Sequence, residues 1–270
     1  MIRTPRDIVT KFKKRIGTVG PYMCLVDVAS QELAKNNTNE NLTKLIKGYG
    51  HQRLSITELE LKKMSIYVNL SHLAFISSRA DSFCDDIKTF NKTLKINEKS
   101  YNIKSTDKLR KTIFLVHARK VDLKETEVSL TDDVYNQYVG KTELIIVDYY
   151  RKMRNVEFHG GLDQADEQVT LTEAELGQIC LEYNHRPNTF TNLTVRDVIL
   201  YSQAWQKLAI NVCQNLVDID DQLISQLCEK YKDSSATRRD NAISKKLKQD
   251  YLQPDDIVSK LRKVKNGWIA

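Results

Sequence analysis

The stretch that decides the fold is TELELKKMSIYVNLSHLAFISSRADSFCDDIKTFNKTL, residues 57–94. Thr57 and Glu60 stand at the spacing of a capping box, which predicts a helix that begins there. Large apolar side chains then recur three, four, seven or eight residues apart, the spacing of one helical face. They are Met64, Val68, Phe75, Phe83, Ile87, Phe90 and Leu94. The pattern predicts one helix of about ten turns with a single apolar face.

Three more segments predict long helices. DKLRKTIFLVHARK, residues 107–120, is the first, although its TIFLV run alone is also typical of a strand. Another is expected from Thr131 to the helix-ending glycines at 160 and 161. Its predicted buried face holds Val134, Tyr138, Ile145, Tyr149 and Met153.

The last of the long helices is expected from Thr194 to about Tyr231, with Asp197 as the capping partner of Thr194. Its apolar positions keep the helical spacing throughout. They are Val198, Trp205, Ala209, Val212, Leu216 and Leu223.

Shorter helices are predicted at 5–16, 21–35 and 172–183, whereas residues 95–104 are compatible with either a loop or a small hairpin. The 270 residues include only 9 Gly and 4 Pro, so little interrupts the helical segments. We therefore predict an all-α protein, an up-and-down bundle of long helices.

Three regions are expected along the chain. Residues 1–56 form a helical segment that packs on the core, 57–230 form the bundle, and 231–270 form a basic tail. From Tyr231 onward ten Lys and Arg face five Asp, and the whole chain has a formal net charge of +7. Lys245, Lys246 and Lys248 are therefore candidate contacts for RNA phosphates, although lysines in such a stretch more often form a solvated helix face.

Several classes of protein are disfavoured by the sequence. No run approaches the roughly 18 apolar residues of a membrane span, and five scattered cysteines do not form a disulfide framework. We therefore expect a cytoplasmic protein. Signatures for nucleotide binding, serine hydrolysis and zinc proteolysis do not occur, and the histidines lack ligand neighbours at metal spacing. No cofactor or metal is predicted.

The chemistry is expected in DYYRKMRNVEFHGG, residues 148–161. Arg154 and His159 have four residues between them, and Asn155 follows the arginine directly. This arrangement resembles the R-x4–6-H signature of the HEPN superfamily, in which Asn, Asp or His commonly follows the Arg. Arg110 and His117 also fit the spacing, but Lys111 follows that arginine, so only the copy at Arg154 meets the fuller pattern.

The resemblance covers the motif closely and residues 57–230 in general form. It implies a helical bundle that cuts RNA without a metal, leaving 2′,3′-cyclic phosphate and 5′-OH ends. It also implies a homodimer with a composite active site, and a toxin or antiviral defence effector with an antitoxin or defence-system partner. Because some HEPN domains have lost activity, a non-catalytic helical protein that binds a partner protein or nucleic acid is the alternative.

The residue types suit this reaction. Histidine exchanges protons near neutral pH, because its ordinary pKa is about 6.5. Arginine keeps its charge and offers a planar fork of donors to phosphate oxygens, while Asn155 is expected to orient a partner or hold a phosphate. One ideal helix would turn Arg154 and His159 about 140° apart, so they converge only if the helix end loosens, Arg154 bends back, or two copies combine.

Structural interpretations of the same residues also exist. An arginine on a helix surface commonly pairs with an acid three residues later, which here is Glu157. A histidine at the end of a helix commonly interacts with the last carbonyl groups and the helix dipole, as His159 would.

Overall fold

The computed structural model describes residues 2–18, 20–36, 38–51, 61–93, 107–121, 130–158, 169–264 and 268. Every regular element in these ranges is helical, so the all-α prediction is confirmed. None of these helices combines the length and apolar character needed to cross a membrane. The first six helices are α1 (Pro5–Gly17), α2 (Gly20–Asn36), α3 (Asn39–Gly48), α4 (Leu61–Thr93), α5 (Lys108–Val121) and α6 (Asp132–Val139). The others are α7 (Lys141–Phe158), α8 (Glu173–Tyr183), α9 (Val195–Gln214), α10 (Asp221–Lys230), α11 (Ala236–Asp250) and α12 (Asp255–Val264), with a short 3-10 helix at Phe190–Asn192.

Helix α4 is the long helix expected from the opening stretch. It is described over Leu61–Thr93, whereas its predicted start at Thr57 and its last apolar residue, Leu94, lie outside the described residues. The same is true of residues 95–104, where a loop or hairpin was expected. Helix α5 shows that the TIFLV run is helical rather than a strand.

Two predicted helices are each divided in two. The segment from Thr131 is interrupted at Gly140, whose φ of 90° takes the backbone out of the right-handed helical region. The segment from Thr194 stops at Gln214 and begins again at Asp221, because Asp220 caps a new helix by accepting from the backbone N of Leu223. Both interruptions were missed because the apolar residues keep their helical spacing on either side of them.

The helices are organised in two compact units. One comprises residues 1–14, 80–141 and 206–270, and the other comprises residues 15–79 and 142–205. Helices α1, α4, α7 and α9 each contribute residues to both units. The predicted division into 1–56, 57–230 and 231–270 stays a prediction.

In the first unit, the basic C-terminal region contains a packed core. Trp268 is buried, donates its indole N–H to Ser244, and accepts the thiol of Cys228 at its carbonyl oxygen. The surrounding cluster comprises Ile224, Leu227, Cys228, Ile243, Leu247, Val258 and Trp268. Helices α10, α11 and α12 thus share an apolar centre, and their charged residues lie around it.

Candidate functional site

The candidate motif lies at the C-terminal end of α7, and contacts to α8 hold the other end of this helix. Thr142 donates its hydroxyl to Glu182 at 2.5 Å, and Tyr183 donates its hydroxyl to Glu143 at 2.6 Å. Burial, with the carboxylate of Glu143 beside it, raises the pKa of Tyr183. The Tyr183 hydroxyl therefore keeps its proton and remains a donor.

The middle of α7 is held by two tyrosines. Tyr149 donates its hydroxyl to the carbonyl oxygen of Asn188 at 2.7 Å. Tyr150 is fully buried and donates to the carboxylate of Asp197 at 2.7 Å. Tyr150 is therefore a core residue, and it does not line an open cleft.

Asp197 is a fully buried carboxylate with several donors around it. It accepts from the backbone N of Asn188 and of Thr194, and from both of their side chains, at 2.8 to 2.9 Å. The contacts with Thr194 confirm Asp197 as the predicted capping partner. Burial alone would raise the pKa of Asp197, but hydrogen bonds from Asn188, Tyr150 and Thr194 outweigh it and lower the pKa. The carboxylate is charged and is used within the fold.

Sequence reasoning missed one contact of this group. His185 Nε2 lies 3.4 Å from Asp197 Oδ1, although the two residues are twelve positions apart. No spacing rule connects them, because a loop returns the chain to the start of α9. The predicted capping role of Asp197 was the one feature of the sequence that indicated a carboxylate with hydrogen-bond donors around it.

At the C-terminal end of α7, Arg154 contacts its neighbour Asn155. The Oδ1 atom of Asn155 accepts from Nε of Arg154 at 3.1 Å and from Nη2 at 2.6 Å. Both side chains are partly exposed, whereas Met153 just before them is buried. Within the described residues no carboxylate forms an ion pair with Arg154, while Arg151 pairs with Asp148 at 2.9 Å.

The charge of Arg154 also acts on α9. Tyr201 is buried there, and its hydroxyl shares a hydrogen bond of 2.9 Å with that of Ser77. Burial raises the pKa of Tyr201, and the charges of Arg154 and Arg151 act in the opposite direction. The positive charge of Arg154 thus slightly favours the ionised form of Tyr201 on α9.

The remaining motif residue, His159, lies outside the described residues, as does the side chain of Glu157. Convergence of Arg154 with His159 stays a prediction for this reason. Pairing of Arg154 with Glu157 and capping of the helix by His159 also stay predictions. Helix α7 is described as far as Phe158, the residue before His159.

A cavity of about 320 Å³ lies beside α7, in the unit that comprises residues 15–79 and 142–205. The helix contributes Ile145, Asp148, Tyr149 and Lys152, which follow the three-and-four spacing of one face. Asn155 comes next on that face, three residues after Lys152. The other walls are Val169, Thr170, Leu171 and Glu175.

The second match to the spacing, on α5, has different surroundings. Arg110 pairs with Asp107 at 3.0 Å and lies over the ring of Tyr135, 5.6 Å from its centroid. His117 Nδ1 lies 2.9 Å from the hydroxyl of Tyr138. These two side chains serve the packing of α5 against its neighbours.

The three candidate RNA-binding lysines of α11 differ in their partners. Lys246 pairs with Asp250 one helical turn later, and Lys248 pairs with Asp255 at 3.0 Å. The hydrogen bond that Lys246 donates to Asp250 is the main reason that the pKa of Lys246 is raised. Lys245 is exposed and forms no ion pair with any described residue. Of the three, it has the charge most available to an anion.

No protein-family model, curated protein or solved structure matches this chain. The likeness to the HEPN superfamily therefore rests on Arg154, Asn155 and His159 within a helical protein. Among the described residues, no three His, Cys, Asp or Glu side chains are grouped so that they could hold a metal ion.

Proposed function

We propose that this protein is a metal-independent endoribonuclease of the HEPN type. The observation that carries the proposal is the state of Arg154 at the end of α7. Its guanidinium is held by the neutral amide of Asn155, and no described carboxylate neutralises it. An arginine held in this way keeps its full charge for phosphate oxygens.

The reaction is an attack of the ribose 2′-oxygen on the adjacent phosphorus. The bond from phosphorus to the 5′-oxygen breaks, which leaves a 2′,3′-cyclic phosphate and a 5′-OH. A base removes the proton from the 2′-OH, and an acid gives a proton to the leaving oxygen. His159 is the residue for proton transfer, and Arg154 stabilises the negative charge that develops on the phosphorane.

The contact between Arg154 and Asn155 supports a shared site. Asn155 and His159 are four residues apart, which is the spacing of neighbours on one helical face. The guanidinium of Arg154 is turned toward Asn155, so it is directed toward the face that this spacing assigns to His159. Bending of the Arg154 side chain is one of the ways in which Arg154 and His159 can approach each other although an ideal helix turns them about 140° apart.

Other parts of the proposal come from the resemblance. Two copies would each supply an Arg154 and a His159 to a composite site, so that one histidine acts as base and the other as acid. The corresponding role is that of a cytoplasmic toxin or antiviral defence effector, which an antitoxin or defence-system partner restrains. Lys245 is the tail residue that we assign to RNA phosphate contact.

The test is cleavage of labelled RNA by the purified chain in EDTA. Wild type is compared with Arg154→Ala, with His159→Ala and with the matched control His117→Ala. The proposal is supported if wild type and His117→Ala cut the RNA and leave cyclic-phosphate ends, and if Arg154→Ala and His159→Ala lose this cleavage. Undiminished cleavage by His159→Ala would remove the mechanism, and RNA bound but never cut would favour the non-catalytic binding protein.

A further inference from the structure

Helix α11 has an outer face that carries cations and carboxamides. Four exposed side chains follow one another three or four residues apart along it. They are Arg238, Asn241, Lys245 and Gln249. At 3.6 residues per turn, these four positions fall within about 80° around the helix axis. The opposite side of α11 carries Ile243 and Leu247, which are buried in the core shared with α10 and α12. The helix is therefore held from behind, and its outer face is open to solvent.

The acids of α11 lie away from this face and are already paired. Asp240 pairs with Arg262 of α12 at 3.1 Å, and Asp250 pairs with Lys246. On the outer face, neither cation of the four forms an ion pair with a residue that the structure describes. A solvated helix face commonly alternates charges of both signs. The outer face of α11 differs because its four side chains include no acid.

The side chains of the outer face are of the types that contact base pairs. Arginine and lysine donate to O6 and N7 of guanine, and asparagine and glutamine bond bidentately to N6 and N7 of adenine. Attraction to phosphates alone would need the cations but not the carboxamides. Within the described part of the chain, the side chains of Asn241 and Gln249 form no hydrogen bond, so both amides can bond to a ligand.

The dimensions of α11 fit the major groove of B-form DNA. The groove is about 12 Å wide, and an α-helix with its side chains is about 10 to 12 Å across. From Arg238 to Gln249 the helix rises about 16 Å, the length of about five base-pair steps. A short turn, residues 231–235, joins α10 to α11. In many DNA-binding proteins the second helix of such a pair enters the groove, and α11 has that position.

Double-helical DNA suits this face better than RNA does. The major groove of A-form RNA is too deep and narrow for side chains to read. Single-stranded RNA is held largely by stacking of its bases on aromatic side chains, and α11 contains no aromatic residue. Contact with a phosphate is similar in either nucleic acid, so the RNA contact that we assign to Lys245 is compatible with this face.

We propose that the outer face of α11 binds double-helical DNA in the major groove. Arg238, Asn241 and Gln249 contact base edges, and Lys245 contacts a phosphate. Lys248, at the edge of the face, is not assigned, because α12 supplies it with an acidic partner. This is a second binding function, which goes beyond the proposed ribonuclease and does not rest on it.

The test is the affinity of the full chain for labelled duplex DNA, measured by fluorescence anisotropy in EDTA without RNA. A pool of duplexes with a randomised centre of about ten base pairs, twice the span of the face, is first enriched for bound sequences. Wild type is expected to select a preferred sequence and to bind it about 10³-fold tighter than the starting pool. Asn241→Ala should weaken binding to the preferred sequence about tenfold to a hundredfold and leave binding to the pool unchanged, because one base contact is lost.

Two lysine variants complete the comparison. Lys245→Ala should weaken binding to both DNAs and reduce the salt slope by about 0.9, because a phosphate contact is independent of sequence. Lys260→Ala is the matched control, because Lys260 is an exposed cation of α12 that forms no ion pair with a described residue. This control is expected to bind both DNAs as wild type does.

Two results would overturn the assignment: wild type that enriches no sequence, or an Asn241→Ala variant that binds the preferred sequence as tightly as Lys260→Ala does. In either case the face is at most a phosphate contact for RNA. If Asn241→Ala loses helical content, Gln249→Ala decides by the same outcomes. Because no RNA is present and no cleavage is measured, failure of DNA binding leaves the proposed ribonuclease untouched, and a chain that never cuts RNA leaves the DNA assignment intact.

Discussion

Two regions of this molecule have an arginine and a histidine at similar spacing, and their surroundings differ. On α5, Arg110 is neutralised by Asp107 and His117 bonds to Tyr138. On α7, Arg154 is held by an uncharged amide, and no described acid neutralises it. The two arginines are therefore distinguished by their partners more than by the spacing. Arg110 is used in packing, whereas Arg154 keeps a charge that no described acid neutralises.

The largest effect is expected at the two histidines. His159→Ala should slow RNA cleavage by about 10² to 10⁴-fold, because proton transfer by a positioned side chain contributes that much. His117→Ala should leave the rate per folded molecule unchanged, while the lost hydrogen bond to Tyr138 lowers the free energy of unfolding by about 1 kcal/mol. Single-turnover cleavage and urea unfolding measure the two. Equal losses of activity in both variants would end the distinction between the regions.

The next effect concerns the anchoring of α7. Asp197→Asn should lower the free energy of unfolding by about 3 kcal/mol, because a buried charged acceptor for Tyr150, Asn188 and Thr194 is lost. The pKa of Asp197 in the folded protein is below its ordinary value of 3.8, so its contribution is present above that pH. The contribution is lost as the pH falls through the folded pKa. Urea unfolding at pH 7 and below pH 4 should therefore show a difference between wild type and variant that shrinks in acid. A difference that grows in acid contradicts this account of Asp197.

A smaller effect tests the fork of donors on each arginine. Arg154→Lys keeps the charge but loses the planar pair of donors that contacts Asn155 and that we propose for a phosphate, so cleavage should fall about tenfold to a hundredfold. Arg110→Lys should have no effect on the rate, because a lysine can still pair with Asp107. The ratio of the two cleavage rates is the measurement. A ratio near one would mean that only charge matters at Arg154.

The smallest effect is expected at the tail lysines. Lys245→Ala should reduce the slope of RNA affinity against salt concentration by about 0.7, the value for one contact with a single-stranded phosphate. Lys246→Ala should change the slope less, because Asp250 already shares its charge. Fluorescence anisotropy at several salt concentrations gives both slopes. Identical slopes for Lys245→Ala and wild type would contradict the proposed contact of Lys245 with RNA.

Some features of the fold and the candidate site could be predicted and others could not. The periodicity of residues 61–93 and the pairing of Thr194 with Asp197 act within a few turns, so a single sequence shows them. The interruption at Gly140 was missed, because the apolar pattern continues across it. The motif was found by its residue types, whereas the neutral partner of Arg154 required coordinates.

The sequence by itself determined the helical class and most helix positions, because propensity and capping depend on neighbouring residues. A short motif also made Arg154 rather than Arg110 the candidate site residue. Tertiary structure decided which side of α2 is buried and which acid reaches which donor. Asp27 faces inward and Leu25 outward. His185 meets Asp197 across twelve residues. The physical reason is that burial and hydrogen bonding depend on what other helices bring near, and that information is not contained in any local pattern.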